Sequence, residues 1–226
     1  MVGAQRRLVC PVVKPDLTTL RAAADQFGRY TGPDRSWAAL LAATAPAVDL
    51  GRAAHRAAAH RWLNAWGCRI RYPRDGEPAV FDQGLAAWWE RGRAGLPEPG
   101  TRLGELTDAE IEAVAGCFAD LAATPAAARR SLGPTAAAKL LFAVRPDSLM
   151  PWDDLIARRL HGARDRAAYA AHLRLGRGWA LDLLAEAGAD EPALVAALGR
   201  PGGSLAKLLD EFCYLVHTRG WSVTVG

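Results

Sequence analysis

A chain of 226 residues, half of them apolar, can bury a substantial core, as a single helical domain over 1–226 or as two packed subdomains, 1–92 and 105–226. Its net charge of +4 and pI near 9.1 admit an anionic partner but fall short of the concentrated basic patch of a DNA-binding protein, which argues against DNA without closing that reading. Four scattered cysteines (Cys10, Cys68, Cys117, Cys213), no signal peptide and no apolar run of membrane length point to a cytoplasmic protein with free thiols, no membrane contact, no metal and no cofactor.

In chain order the sequence reads as helices between Pro/Gly links. The fold class is mainly α: a compact multi-helix domain with at most two or three short strands near the termini. Leu8–Val13 fits an edge strand or extended arm. Asp16 caps a helix running to about Phe27 and closed at Gly28. Gly32-Pro33-Asp34 reads as a turn and Ser36–Thr44 as a short helix. Ala47–Trp66 carries the longest helical pattern, stopped by Gly67. On it Arg52, Arg56 and His60, spaced by four, form a basic stripe that either grips an anion or stays solvated. Cys68–Tyr72 alternates as a short strand would, and Phe81–Arg91 is helical again, with Trp88-Trp89 turned at least partly inward.

Gly92–Gly104 is the best linker candidate. Thr107 and Glu110 make a capping box for a helix over Asp108–Ala123, and Pro125 starts a short helix ending near Gly133. Pro134 suits the first position of the helix Thr135–Val144, the most apolar in the chain. Pro146 and Pro151 fence a turn before a helix over Trp152–Leu160. Three short helices between glycines follow, at Asp165–Leu175, Trp179–Ala187 and Glu191–Leu198. Gly202-Gly203-Ser204 then launches Leu205–Thr218, and Trp221–Val225 alternates like a terminal strand. Ala138-Lys139-Leu140-Leu141 is echoed at Ala206-Lys207-Leu208-Leu209, too short to count as a repeat.

Leu132–Arg159 carries most of the chemistry. Lys139 is the one charge within Ala136–Val144. A buried ammonium must be paired or its pKa falls, making it a base or nucleophile; otherwise it snorkels to the helix edge. Asp153 and Asp154 open the next helix, where the dipole favours carboxylates. Neighbours on a first turn point apart, so one of them can face Lys139 across salt-bridge or water-bridged distance, at the wall of a pocket. Tyr169 and His172, three apart on one helix face, join Trp152 and Trp179 as candidate lining, with His172 the natural acid/base near neutral pH. Arg219 can bind an anion or complement a helix C-terminus. The catalytic candidates are therefore Lys139, Asp153, Asp154 and His172. The substrate-binding candidates are Arg56, His60, Trp152, Tyr169, Trp179 and Arg219. Lys207, with Asp210 and Glu211 three and four residues on, reads as an in-helix salt pair. No GxSxG, P-loop, GxGxxG, HExxH or CxxC occurs, so serine, nucleotide and metal mechanisms lack support.

Ser131–Arg159, with Leu132-Gly133-Pro134-Thr135, then Lys139, then Asp153 or Asp154, resembles the helix–hairpin–helix DNA glycosylases. That resemblance implies a helical fold in which a lysine attacks a sugar and an aspartate supports the chemistry. The sequence departs from it in lacking the second hairpin glycine and an iron–sulfur cysteine cluster, in setting Lys139 deeper in its helix, and in a shorter Lys–Asp gap. All basic residues except Lys14, Lys139 and Lys207 are arginines, and Ala, Gly and Pro are abundant, which suggests a GC-rich, actinobacterial genome. In this the chain resembles pathway enzymes of actinobacterial secondary metabolism and antibiotic biosynthesis, among them those closing aziridine rings of azinomycin type with loss of an anion. The leading expectation is a small-molecule enzyme using acid/base and electrostatic catalysis on an anionic or amine substrate, free or held on an acidic carrier protein, such as ring closure with loss of sulfate or phosphate. The alternatives are a glycosylase-like DNA-binding protein and a non-catalytic helical partner subunit of a heteromer.

Overall fold

The computed structural model describes residues 13–29 and 31–222. Among them are ten α-helices: α1 (Leu17–Phe27), α2 (Thr31–Thr44), α3 (Ala53–Ala65), α4 (Val80–Gly92), α5 (Asp108–Ala123), α6 (Pro134–Val144), α7 (Asp154–His161), α8 (Arg166–Ala187), α9 (Glu191–Ala197) and α10 (Leu205–Cys213). One antiparallel ladder, β1 (Pro125–Ala127) with β2 (Arg130–Ser131), completes a mainly α architecture.

The starts of these helices follow from short polar side chains. Asp16, Thr107, Asp153, Asp165, Asp190 and Ser204 each accept the amide three residues on, satisfying donors that an α-helix leaves orphaned. At Thr107 the box is reciprocal, with the Glu110 carboxylate returning to the Thr107 amide at 2.8 Å. Gly133, at φ +81° and ψ 163°, takes a conformation open to glycine almost alone and turns the chain into α6 behind Pro134.

Several expectations need correction. α2 begins at Thr31, so Gly32-Pro33-Asp34 lies in its first turn, where proline is tolerated. α3 begins only at Ala53; residues 47–52 form a turn in which the Asp49 amide donates to His55 Nδ1 at 3.0 Å. Cys68–Tyr72 forms no strand, with Arg69 in the left-handed region at φ +53°, and 125–131 is a hairpin rather than a helix. The short ladder therefore falls mid-chain and not near the termini. The two helices expected at 165–187 are one. Gly176 is needed there because a Cβ would collide with Met150, a packing reason that looks like a break in sequence. Leu205–Thr218 splits into α10 and a π-helical turn, Tyr214–Thr218. Leu8–Val12, nearly all of the proposed N-terminal strand, and the end of the proposed C-terminal strand lie outside the described residues.

α6 is the central element. Every residue from Ala136 to Val144 is buried, Lys139 included, and each large apolar side chain contributes about 1.5–3 kcal/mol on burial. α5 packs on both α6 and α8. One aromatic cluster joins Trp37, Trp62, Trp66 and Phe142, with centroids 4.6–6.3 Å apart. Another joins Phe118, Trp152 and Tyr169 at 4.3–5.5 Å. Trp88 and Trp89 are buried as expected. No described helix is long and apolar enough to cross a membrane.

The hairpin docks on α4 through Gly84, where an added Cβ would stand 2.7 Å from the Pro125 carbonyl oxygen. Gly→Ala in a helix interior ordinarily gains about 0.5–1 kcal/mol. Gly84→Ala should instead cost about 1–3 kcal/mol, since backbone cannot swing aside as a side chain would. A urea midpoint equal to or above that of the parent would contradict this packing.

Candidate functional site

The ends of α1 and α3, the start of α7 and the last turn of α10 converge on a cavity of about 360 Å³. Phe27, Trp66, Trp152 and Tyr214 wall it, and Lys139, Asp153 and Asp210 supply its ionisable groups. Trp152 is fixed by donating from Nε1 to the Pro134 carbonyl at 3.2 Å. Phe27 and Tyr214 meet edge to face at 6.0 Å.

Lys139 does not form the ion pair expected of it. Its Nζ donates to the Trp66 carbonyl at 2.6 Å and lies 5.4 Å from the Trp66 ring centroid. That carbonyl belongs to the C-cap of α3, where unfilled acceptors and the helix dipole concentrate negative charge. Among the described residues no carboxylate lies within ion-pair distance of Lys139. Asp153 lines the same cavity, so Lys139 and one of the two expected aspartates do share a wall.

Asp153 is held from both sides. One oxygen accepts the Ile156 amide at 2.8 Å as the α7 cap, and the other accepts the Thr218 hydroxyl at 2.6 Å. Asp154 points away, half-exposed, to Arg158 at 3.0 Å and Arg164 at 2.5 Å.

Asp210 is the residue sequence reasoning missed. Burial raises its carboxyl to about 7, Glu211 and Asp153 push the same way, and Lys207 and Lys139 oppose them. Lys207 pairs at 4.0 Å with Asp210 and at 2.7 Å with Glu211, the in-helix salt pair read from the sequence. Its Nζ also lies over Phe27 at 4.5 Å and over Trp66 at 5.7 Å. The two echoed Ala-Lys-Leu-Leu segments thus bring their lysines to one indole. The hint available in sequence was Asp210 itself, an aspartate between Leu209 and Phe212 on a strongly amphipathic helix.

The other candidates fall elsewhere. His172 is fully buried, with Nε2 3.2 Å from the Pro151 carbonyl and Nδ1 3.1 Å from His161 Nε2. A carbonyl only accepts, so His172 carries its proton on Nε2 and His161 donates to Nδ1. Burial depresses His172 to about 3 and His161 to about 4, so both rings stay neutral and buttress Trp152 at 5.3 and 6.0 Å. Tyr169 is core, donating to the Met150 carbonyl at 3.3 Å, and Trp179 packs on Phe212. Arg219 is exposed beyond the π-helical turn. Arg56 and His60 line a separate cavity. Arg56 is committed to Asp82 at 2.7 and 3.0 Å and to the Leu50 and Gly51 carbonyls. A further cavity, about 660 Å³ between α4 and α5, has only Arg91 and Asp120 as ionisable lining.

Among the described residues no group of three or more His, Cys, Asp or Glu is placed to hold a metal ion. Compared with family models, curated proteins and solved structures, the chain matches none, and its chemistry is read from its own geometry.

The raised Asp210 pKa has a thermodynamic signature. Between the unfolded value of 3.8 and the folded value of about 7, the folded state holds a proton that the unfolded state has released. Stability from this group is therefore present at low pH and lost as pH rises. The depressed His161 and His172 act oppositely, losing stability as pH falls below 6.5. Asp210→Asn isolates the first effect. Its stability relative to the parent should be near parity at about pH 4 and should grow by up to about 4 kcal/mol above pH 7. A difference flat across that window, in guanidinium melts, would place Asp210 in water.

Proposed function

We propose that the protein is a small-molecule enzyme that performs acid/base chemistry on an amine-bearing substrate bound in the Lys139–Asp153–Asp210 cavity. One observation carries this reading: two carboxylates face one aromatic-walled space while the lysine charge is taken up by the α3 C-cap. A cavity so balanced suits a protonated amine better than an anion, which narrows the anionic-or-amine alternatives to the amine. Aromatic walls favour cationic and planar groups.

Each residue then has a role. Asp153, locked by Ile156 and Thr218, holds the substrate ammonium. Asp210, with a pKa near 7, accepts a proton from it and frees the nitrogen lone pair. The amine attacks an electrophilic carbon of the same molecule, the carbon–oxygen bond to a sulfate or phosphate breaks, and the oxyanion leaves with the bonding pair. Lys139, at the cavity wall, stabilises that charge as it develops. Ring closure of this kind accords with secondary metabolism in an actinobacterium.

Benzylamine serves as a probe, because Trp66 and Trp152 line the cavity and report binding by fluorescence. Affinity should rise as pH increases through about 7 and Asp210 ionises, and should be lost in Asp153→Asn, which keeps the cap. With a turned-over amine in hand, Asp210→Asn should lower kcat by about 10²–10⁴. Binding indifferent to both aspartates would refute the proposal.

A second reading, the glycosylase-like one, is favoured by the Gly133 turn into α6 and by Lys139 and Asp153 sharing one cavity. It requires duplex DNA to bind tightly at physiological salt with a steep salt slope. The amine-enzyme reading expects weak binding or none in a gel-shift titration.

A further inference from the structure

The cavity that Arg56 and His60 line, about 490 Å³ between α3, α4 and the hairpin, is not used by the reading above. Its floor is a cluster of rings: His60 stacks on Tyr72 at 4.1 Å and 25° and meets Phe81 at 4.4 Å, tilted by 36°. His60 is oriented by the Ile70 carbonyl, 3.1 Å from Nε2. Tyr72 stays half-exposed, so the stack ends in an aromatic face open to the solvent side.

The charges of this cavity are largely settled internally. Asp82 is chelated by Arg56, and Glu77 is paired with Arg71 and accepts the Arg74 amide at 2.9 Å. Arg61 is exposed on α3, lines the cavity, and has no ion pair among the described residues. An uncompensated guanidinium beside an exposed ring surface fits a planar group that carries an anion, the ring stacking on Tyr72 and the anion meeting Arg61.

Exposed residues of α3 join the linings of the two cavities. The exposed α3 residues Ala57, Arg61 and Ala65 run between them, Ala57 and Arg61 lining this cavity and Ala65 the amine cavity. The segment from Gly67 to Tyr72 makes the same connection, from Gly67 at the amine cavity to Arg71 and Tyr72 here. Ala57 and Ala65 are about 12 Å apart along the helix at ~1.5 Å per residue.

We propose that the Arg61–Tyr72 cavity is a second binding site, for a planar ring bearing an anionic group, placed so that one extended substrate can occupy it and the amine cavity together. The site stands on its own residues; only its joining to a common substrate rests on the amine reading.

Two probes separate the sources of such a group: adenosine 5′-monophosphate for a nucleotide and 2-naphthoate for an aryl carboxylate, with adenosine as the uncharged control. Titration by calorimetry should show at least one anion binding. Arg61→Ala and Tyr72→Ala, both surface changes that leave the core intact, should each weaken it by about tenfold or more. Saturating benzylamine should leave it unchanged, so failure at the amine cavity does not register here. The proposal is overturned if neither anion binds, if adenosine binds as well as its phosphate, or if Arg61→Ala has no effect.

Discussion

A lysine on an otherwise apolar helix must find negative charge, and Lys139 finds it at the end of another helix rather than on an acid. The Trp66 carbonyl stands at the α3 C-cap, and the Lys139 ammonium donates to it at 2.6 Å. Each group meets the other's need, which couples the position of α6 to the length of α3. The consequence for the cavity is that Asp153 and Asp210 are not consumed in neutralising Lys139. Were an aspartate its partner, one carboxylate would be spent on structure, and the pocket would present a nearly cancelled pair.

Asp153 shows the same economy in another form. A cap needs one carboxylate oxygen, and Thr218 takes the other. The side chain is thereby fixed in rotamer and direction, as a group must be that meets a substrate in a set geometry. The π-helical turn makes this contact available. Widening the last turn of the α10 segment places Tyr214 at the cavity and Thr218 on Asp153, in keeping with the tendency of such turns to occur at functional places.

The parts of the fold legible in sequence were those governed by local chemistry. Asp16, Thr107 and Pro134 mark their helices because a cap or a fixed φ acts within three or four residues. The misreadings have non-local causes. Gly176 and Gly178 look like a break, yet Gly176 is small to admit Met150. Pro125 looks like a helix start, yet the Thr124 and Ala122 carbonyls draw Leu132 and Gly133 back to α5. In the site, Lys139, Asp153 and Trp152 stood out because charge and aromatics are conspicuous in an apolar stretch. Asp210 did not, since the sequence offers Lys207 as a sufficient partner and gives no measure of burial. His172 misled for the converse reason: its type suggests titration near neutrality, while its surroundings keep it uncharged.

The walls of the Lys139–Asp153–Asp210 cavity come from distant parts of the chain. Phe27 ends α1, Trp66 ends α3, and Asp210 and Tyr214 belong to the α10 segment. α1 seats on α10, and both also pack on α8, while α5 joins α6 to α8. Chain closure over such sequence separations is slow compared with pairing of neighbouring helices. Parting α1 from α10 takes Phe27 away from Asp210 and Tyr214 and so opens this cavity, even where α5 still packs on α6 and α8. The cavity is thus only as persistent as the contact between α1 and α10.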